Sequence, residues 1–188
     1  MHDIEKLIKE AGDIRFRLTQ DANIEKILNK LNESRVNFSL DDEDPFSRVN
    51  DGSGVYFIEA KFKFNTKERL EKFGALWGLA KGKDLISNCP RFYKGRMRPN
   101  MHKLKTCEFV PFYLGKQQNV RQRLHLHLND SIESTTYGLK LKARREILDA
   151  CDFRVSWVTF SSTSNDYFCI ELIEEALRGV LNPLIGKQ

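Results

Sequence analysis

Two tyrosines stand beside glycines in the most strand-like segments of the chain. Tyr56 comes two residues after Gly54, and Tyr113 comes two residues before Gly115. A tyrosine hydroxyl can both donate and accept a hydrogen bond, and a neighbouring cation lowers its pKa. Tyrosine in a strand is more often a packing residue. Neither string alone therefore indicates catalysis.

The residues after the second tyrosine have helical spacing and carry cations. Apolar residues that repeat at every fourth position define the buried stripe of this helix: Val120, Leu124 and Leu128. At about 100° per residue, Arg123 and His127 lie on one margin of the stripe, and Arg121 and His125 lie on the other. Arg123 and His127 are four residues apart and can point at one spot, where the arginine fork suits a phosphate. The alternative is a solvated basic helix face.

The last helix contributes a carboxylate at the edge of its apolar face. That face is formed by residues with helical spacing: Ile170, Ile173, Ala176, Leu177 and Val180. Glu171, Glu175 and Arg178 point away from it, whereas Glu174 lies at its margin. A partly desolvated carboxylate suits a metal ion. The alternative is a surface glutamate whose methylene groups pack on the core.

Taken in order, these residues resemble the GIY-YIG nuclease superfamily. The matching positions are Gly54-Val55-Tyr56, Tyr113-Leu114-Gly115-Lys116, Asn119-Val120, Arg123, His127 and Glu174. The stretch 134–141 also looks like an element of stand-alone members. The resemblance covers residues 53–61 and 108–188. Where the family often has an asparagine after the last proline, this chain has Gly186, and Asn182 precedes the proline.

The resemblance implies metal-dependent hydrolysis of a phosphodiester bond. It implies six catalytic residues: Tyr56, Tyr113, Lys116, Arg123, His127 and Glu174. Glu174 would hold one Mg²⁺ or Mn²⁺ ion per active site, and Arg123 would stabilise charge on the phosphoryl oxygens. Tyr56 would activate or orient water, with its pKa lowered by the metal or by Lys116. The other tyrosine and the histidine would position the phosphate or carry a proton.

The segment between the two tyrosine motifs is an insertion relative to the family. Its second part, residues 85–107, contains no acidic residue and six basic ones: Arg91, Lys94, Arg96, Arg98, Lys103 and Lys105. Phe92 and Tyr93 stand among them. Cations that bind phosphates, with aromatic rings that stack or wedge, predict contact with DNA, and we assign Arg121 to the same surface. The alternative is a solvated basic loop.

The overall charge agrees with a polyanionic partner. The net charge is +5, and residues 1–50 carry 8 Lys and Arg against 11 Asp and Glu, whereas the remainder carries 23 against 15. No apolar run is long enough to cross a membrane, and the first ten residues do not resemble a secretion signal. We therefore expect a cytoplasmic protein with reduced cysteines and no membrane partner.

The pattern of elements predicts a small α+β sheet packed by helices. The resemblance implies that this sheet is three-stranded and mainly antiparallel and is flanked by helices, as in the GIY-YIG nuclease fold. The predicted strands are Val55–Phe64, Phe109–Leu114 and Val155–Phe160. The predicted helices cover residues 2–11, 21–33, 66–80 and 119–129, and a last helix runs from Asp166 or Tyr167 to about Leu181. Residues 81–107 are expected to be irregular, and 137–149 to combine a short extended piece with a helical one.

Two regions follow from this arrangement. Residues 1–50 are expected to form an N-terminal helical extension. Residues 51–188 are expected to form the nuclease-like domain, with a large insertion at about 62–107 between its first two core strands.

The function that we expect is site-specific double-strand cleavage of DNA, as by a type II restriction enzyme. Cutting both strands of a duplex requires two active sites, which implies a homodimer. Two alternatives stay open at this point. One is a non-catalytic nucleic-acid-binding protein with the same fold, and the other is a nuclease of low specificity that acts on DNA or RNA.

Overall fold

The centre of the fold is β2 (Ser53–Phe62), whose side chains are buried on both faces. Its β-branched and aromatic residues pack well on a pleated surface that is covered from both sides. In this computed structural model, which describes residues 2–80, 84–85, 88–149, 151–161 and 167–186, β2 lies between β7 (Cys151–Phe160) and β6 (Val110–Gln117). Both pairings are antiparallel. The α+β class and its three predicted strands are therefore confirmed.

The sheet is larger than the three-stranded sheet that the sequence predicts, and that expectation was wrong. β1 (Val36–Phe38) pairs with β7, β8 (Ile185–Gly186) runs parallel to β6, and β5 (Arg91–Phe92) is antiparallel to β8. Over the described ranges the order is β1-β7-β2-β6-β8-β5. The added strands have only two or three residues, too few to show the alternation that reveals a strand in a sequence.

One face of β2 packs on helices from the two ends of the chain. Val55 and Phe57 cluster with the apolar sides of α2 (Asp21–Glu33) and α7 (Tyr167–Leu181). α1 (His2–Leu18) lies against α7 and α2. None of the helices in the described ranges has the length and hydropathy needed to span a membrane.

The opposite face of β2 packs on helices from the middle of the chain. Tyr56 and Ile58, which alternate with the residues of the first face, cluster with α3 (Lys67–Trp77), α4 (Met97–Lys105) and α5 (Val120–Asn129). Shorter elements complete this side: β3 (Leu79–Ala80), β4 (Asp84–Leu85), α6 (Arg145–Leu148) and 3₁₀ turns at Lys94–Arg96 and Lys142–Arg144. Residues 137–141 form no strand, so the expected extended piece was wrong.

A side-chain cap marks the beginning of α5. The Asn119 side chain accepts a hydrogen bond of 2.9 Å from a backbone amide in the first turn of this helix. Neither Asp21 nor Asn23 caps α2, because both lie inside the helix and the residue before it makes no capping hydrogen bond. Asp166, one of the two expected starts of α7, lies outside the described residues.

The insertion contains a helix where an irregular segment was expected. Pro99 falls in the first turn of α4, where a backbone amide has no helical partner, so the proline is compatible with the helix. Asn100 is buried, and its Nδ2 donates to the carbonyls of Arg96 and Asn182, each at 2.9 Å. These bonds fasten the insertion to the C-terminal end of α7.

Candidate active site

The two tyrosines of the sequence motifs meet on one face of the sheet, beside His127. The ring centroids of Tyr56 and Tyr113 are 6.1 Å apart, and the His127 ring is 5.5 Å from the first and 5.0 Å from the second. Tyr56 and His127 are buried, whereas Tyr113 keeps 7% of its surface exposed. We call these three residues the tyrosine–histidine cluster. Two strands and one helix, distant in sequence, build it.

Gly115 leaves the space that the Tyr56 hydroxyl fills. The two residues are partners in the β2–β6 register. A Cβ atom at Gly115 would lie 2.4 Å from the Tyr56 Oη and 2.9 Å from the Tyr113 Cε1. These separations are shorter than van der Waals contact, so any larger residue at this position would displace a ring. Gly115 therefore provides the space that the Tyr56 side chain occupies.

The hydrogen bonds of His127 define which of its nitrogens carries the proton. The backbone amide of Leu139 donates to His127 Nδ1 at 2.9 Å, so Nδ1 is an acceptor. Burial, and then the charge of Arg123, lowers the pKa of His127 well below its usual value of 6.5, so the ring is neutral. We therefore assign the proton to Nε2, which donates to the Tyr56 Oη at 2.7 Å.

Tyr56 accepts this bond, so its own hydroxyl proton is available to another acceptor. Burial, and next the neighbouring Tyr113, raises the pKa of Tyr56 well above its ordinary value of 10, while Arg123 acts in the opposite direction. The phenol form thus prevails at neutral pH. Negative charge that develops on its oxygen would be stabilised by His127 Nε2–H and by the Arg123 guanidinium.

Arg123 lies one turn before His127 on α5 and is half-buried. Its Nη2 donates to the carbonyl of Tyr137, which fixes the direction of the guanidinium beside Tyr56. The two residues on the opposite margin of α5, Arg121 and His125, both contact Asp44 instead. The prediction that Arg123 and His127 point at one spot is confirmed.

A loop over residues 131–141 contacts the tyrosine–histidine cluster, and hydrogen bonds from Lys140 stabilise this loop. This residue is fully buried, with a left-handed backbone (φ 56°). Its Nζ donates to the carbonyls of Ile132 at 3.1 Å and Ser134 at 2.6 Å. The same loop presents the amide of Leu139 to His127. Lys140 is a positioning residue that the sequence patterns did not reveal, because its burial depends on how the loop closes.

Glu174 lies on α7, and Arg178 of the same helix links it to β6. The two side chains form an ion pair one helical turn apart on α7, and Arg178 Nη2 also donates to the carbonyl of Leu114 at 3.0 Å. Arg178 was expected to point away from the core, but its side chain is only 15% exposed. Burial lowers its pKa, and the nearby Tyr113 opposes that shift.

Two of the expected site residues are engaged elsewhere. Lys116 follows Gly115 on β6, so its side chain leaves on the other face of the sheet, where Nζ contacts Glu171 at 2.6 Å. Arg123, rather than Lys116, is therefore the cation beside Tyr56. Arg121, assigned to nucleic-acid binding, pairs with Asp44 at 2.9 Å.

The basic insertion reaches the site through β5. Arg91 is exposed on that strand, and its charge acts on Tyr137. The other predicted DNA-binding cations lie further along: Lys94, Arg96, Arg98, Lys103 and Lys105. Lys94 pairs with Glu71 at 3.0 Å. Arg98, Lys103 and Lys105 form no ion pair with any residue that the structure describes.

The two aromatic residues of the insertion contact other residues of the chain. Phe92 packs against the core, and a Cβ on Gly74 would lie 2.4 Å from its ring. Tyr93 lies under the Arg96 guanidinium, 4.6 Å from the ring centroid. Asn182, considered as a substitute for the family's asparagine, is left-handed (φ 50°) at the end of α7 and accepts from Asn100.

Comparison with known proteins adds no identity to this geometry. No protein-family model matches the chain, and neither the curated proteins nor the solved structures include a match. The chemistry of the site is therefore inferred from its own side chains.

Proposed function

We propose that this chain is a GIY-YIG-type nuclease that hydrolyses phosphodiester bonds in DNA with the help of a divalent metal ion. The observation that carries the proposal is the contact between the neutral His127 and Tyr56, with Arg123 alongside. The imidazole that donates to the Tyr56 oxygen leaves the hydroxyl proton of this tyrosine for another acceptor. The arrangement suits a group that bears negative charge during a reaction.

Each member of the site has a task in such a reaction. As the phenol, Tyr56 would orient the attacking water; once its own proton has been lost to solvent, the phenolate would accept a proton from that water, while His127 Nε2–H donates to the tyrosine oxygen. Arg123 stabilises the charge that grows on the non-bridging phosphoryl oxygens. Tyr113, the most exposed of the three rings, contacts the phosphate and keeps it in line with the water.

The metal would depend on Glu174. Within the described ranges no three His, Cys, Asp or Glu side chains gather into a cage. Mg²⁺ commonly uses one or two carboxylates and completes its shell with water and phosphate oxygens, so a single glutamate at the site fits it. The bound ion would neutralise the phosphate and the leaving oxygen. Arg178 forms an ion pair with Glu174. Once the metal ion neutralises Glu174, the arginine would be able to contact another anion.

Duplex DNA is the substrate that the charge distribution favours. Basic residues dominate the chain after residue 50, and the strand that carries Arg91 lies in the same sheet as the cluster. We propose site-specific double-strand cleavage, with the chain acting as a homodimer so that two sites face the two strands. A nuclease of low specificity and a non-catalytic binding protein are the alternatives to be separated by experiment.

Plasmid cleavage separates these functions. Wild type and Glu174→Gln are each incubated with supercoiled plasmid in Mg²⁺ and in chelator, and single-stranded DNA and RNA are tested in parallel. Glutamine keeps a hydrogen bond to Arg178 but is a poor metal ligand. Discrete plasmid fragments from wild type with metal alone would support the proposal, and smearing of all substrates would favour a nuclease of low specificity. Binding without cutting under every condition would overturn catalysis.

A further inference from the structure

Two arginines converge on the backbone of Gly186 at the end of β8. Arg178 comes from α7, and Arg96 comes from the insertion. A Cβ atom built on Gly186, whose φ is +147°, would lie 2.4 Å from Arg178 Nη1 and 3.8 Å from Arg96 Nη1. The absence of a side chain here lets both guanidinium groups approach the same point. Like charges this close are stabilised by an anion.

One donor at this point lacks an acceptor. Arg178 Nη2 is engaged by Glu174 and by the carbonyl of Leu114. Arg178 Nη1 is buried and has no hydrogen-bond partner among the residues that the structure describes. A buried unpaired donor costs about 1–3 kcal/mol, more when it is charged, so such groups are rarely left without a purpose.

Contacts within the chain also fix the position of the Arg96 side chain. Its Nη1 donates to the carbonyl of Pro183 at 3.0 Å, and its guanidinium stacks on Tyr93. Asn100 binds the Arg96 carbonyl from within α4. Because these contacts limit the motion of the side chain, little conformational entropy is lost when it binds an anion.

We propose that Arg178 and Arg96 form a second phosphate subsite, which binds a backbone phosphate of the nucleic acid next to the one that is cleaved. The proposal rests on the proposed nuclease function. It assigns to the insertion a specific task, since the insertion supplies Arg96. Ile185, the residue before Gly186, is the register partner of Tyr113, so this subsite lies beside the tyrosine–histidine cluster. Two adjacent phosphates would then be held by Arg123 and by this pair.

Binding of the flanking phosphate has a consequence for Glu174. Arg178 Nη1 binds the phosphate while Nη2 stays beside Glu174, so the phosphate takes up part of the positive charge that neutralises the glutamate. The carboxylate then attracts a hydrated metal ion more strongly. Nucleic acid and metal should therefore each raise the affinity for the other.

The test is DNA binding without cleavage. A labelled duplex is titrated with Tyr56→Phe protein in chelator at several salt concentrations. The titration is repeated with Tyr56→Phe proteins that also carry Arg96→Gln, Arg178→Gln or both substitutions. Arg17→Gln, on exposed α1, is the matched control. Each site variant should weaken binding about tenfold or more and reduce the slope of log K against log salt by about 0.9. The double variant should lose less than the product of the single effects, because both residues bind one phosphate.

Several outcomes would overturn the subsite. One is unchanged affinity and salt slope in Arg96→Gln and Arg178→Gln proteins that melt like wild type. If Arg178→Gln does not fold, unchanged binding by Arg96→Gln alone is sufficient. Inorganic phosphate is titrated in parallel by thermal melting. Stabilisation of wild type by phosphate, lost in the variants while DNA affinity is unchanged, would indicate a free-anion site instead.

Failure of this subsite is distinguishable from failure of the nuclease proposal. A wild type that cuts plasmid, with variants that bind DNA normally, rejects only the subsite. A wild type that never cuts but whose DNA affinity depends on both arginines rejects catalysis and keeps the phosphate site.

Discussion

The two hydrogen bonds of His127 can be separated by a pair of substitutions. Asparagine places an oxygen near the position of Nδ1, so His127→Asn keeps an acceptor for the Leu139 amide and loses the donor to Tyr56. Glutamine places an amide nitrogen near the position of Nε2, so His127→Gln keeps that donor and leaves the Leu139 amide unpaired. The structure gives these bonds as 2.9 Å and 2.7 Å.

The first substitution should lower the cleavage rate, whereas the second should lower the stability of the protein. A hydrogen bond to a charged oxygen contributes about 1.5–3 kcal/mol, so His127→Asn should slow DNA cleavage roughly 10- to 150-fold. His127→Gln should cut DNA within about tenfold of wild type, but an unpaired buried amide should reduce its unfolding free energy by about 1–3 kcal/mol. Cleavage rates and urea denaturation of both proteins provide the test. Greater activity in His127→Asn than in His127→Gln would refute the assigned tautomer.

The pH dependence of stability gives an independent check on the same residue. Folded His127 has a pKa well below 6.5, so below pH 6.5 the unfolded chain binds a proton that the folded chain does not. This contribution to stability is therefore constant above that pH and is lost progressively as the pH falls. The His127→Asn protein should lack this part of the acid destabilisation. An identical pH profile for wild type and variant would contradict a neutral buried histidine.

Three further predictions concern the surroundings of the cluster. Gly115→Ala should destabilise the protein by about 1–3 kcal/mol and abolish cleavage, because its Cβ meets Tyr56; Gly179→Ala, with open space around its Cβ, is the control and should be neutral or stabilising in thermal melts. Lys140→Met should reduce unfolding free energy by about 1–3 kcal/mol and lower the cleavage rate, since two loop carbonyls lose their donor; equal rates would show that the loop does not position His127. Cleavage should accelerate with pH through the neutral range, by up to about tenfold per unit, because Tyr56 must release a proton whose pKa is raised; a slope that persists in the Tyr56→Phe protein would assign it to another group.

Strong local patterns were sufficient to predict the central strands and α5. The four-residue repeat of Val120 and its partners placed Arg123 and His127 on one margin, where they converge on Tyr56. The β2–β6 register shifts between Ile58 and Glu59, beside Pro111, whose backbone cannot donate to a neighbouring strand. These features are decided by neighbours in sequence, so a pattern can reveal them.

Tertiary contacts determine the positions of the site residues that the sequence patterns did not predict. Arg178 looked solvent-facing from its helical position, yet it bends against the sheet edge because Leu114 and Glu174 offer acceptors there. Lys116 follows a motif residue but lies on the other face of the sheet. The strand that brings Arg91 to the site has two residues, and its pairing with β8 depends on how the chain ends meet. No local pattern encodes such contacts.

The most direct test of the central claim is plasmid cleavage by Tyr56→Phe protein, compared with wild type under the same metal and salt. Phenylalanine keeps the ring in the core and removes only the hydroxyl that contacts His127. The Tyr56→Phe protein should bind DNA and stay folded, lose about 1–3 kcal/mol of unfolding free energy because His127 Nε2–H is left unpaired, and cut at least about a hundredfold more slowly. Wild-type rates from a well-folded Tyr56→Phe protein would show that the tyrosine–histidine cluster is not the catalytic centre.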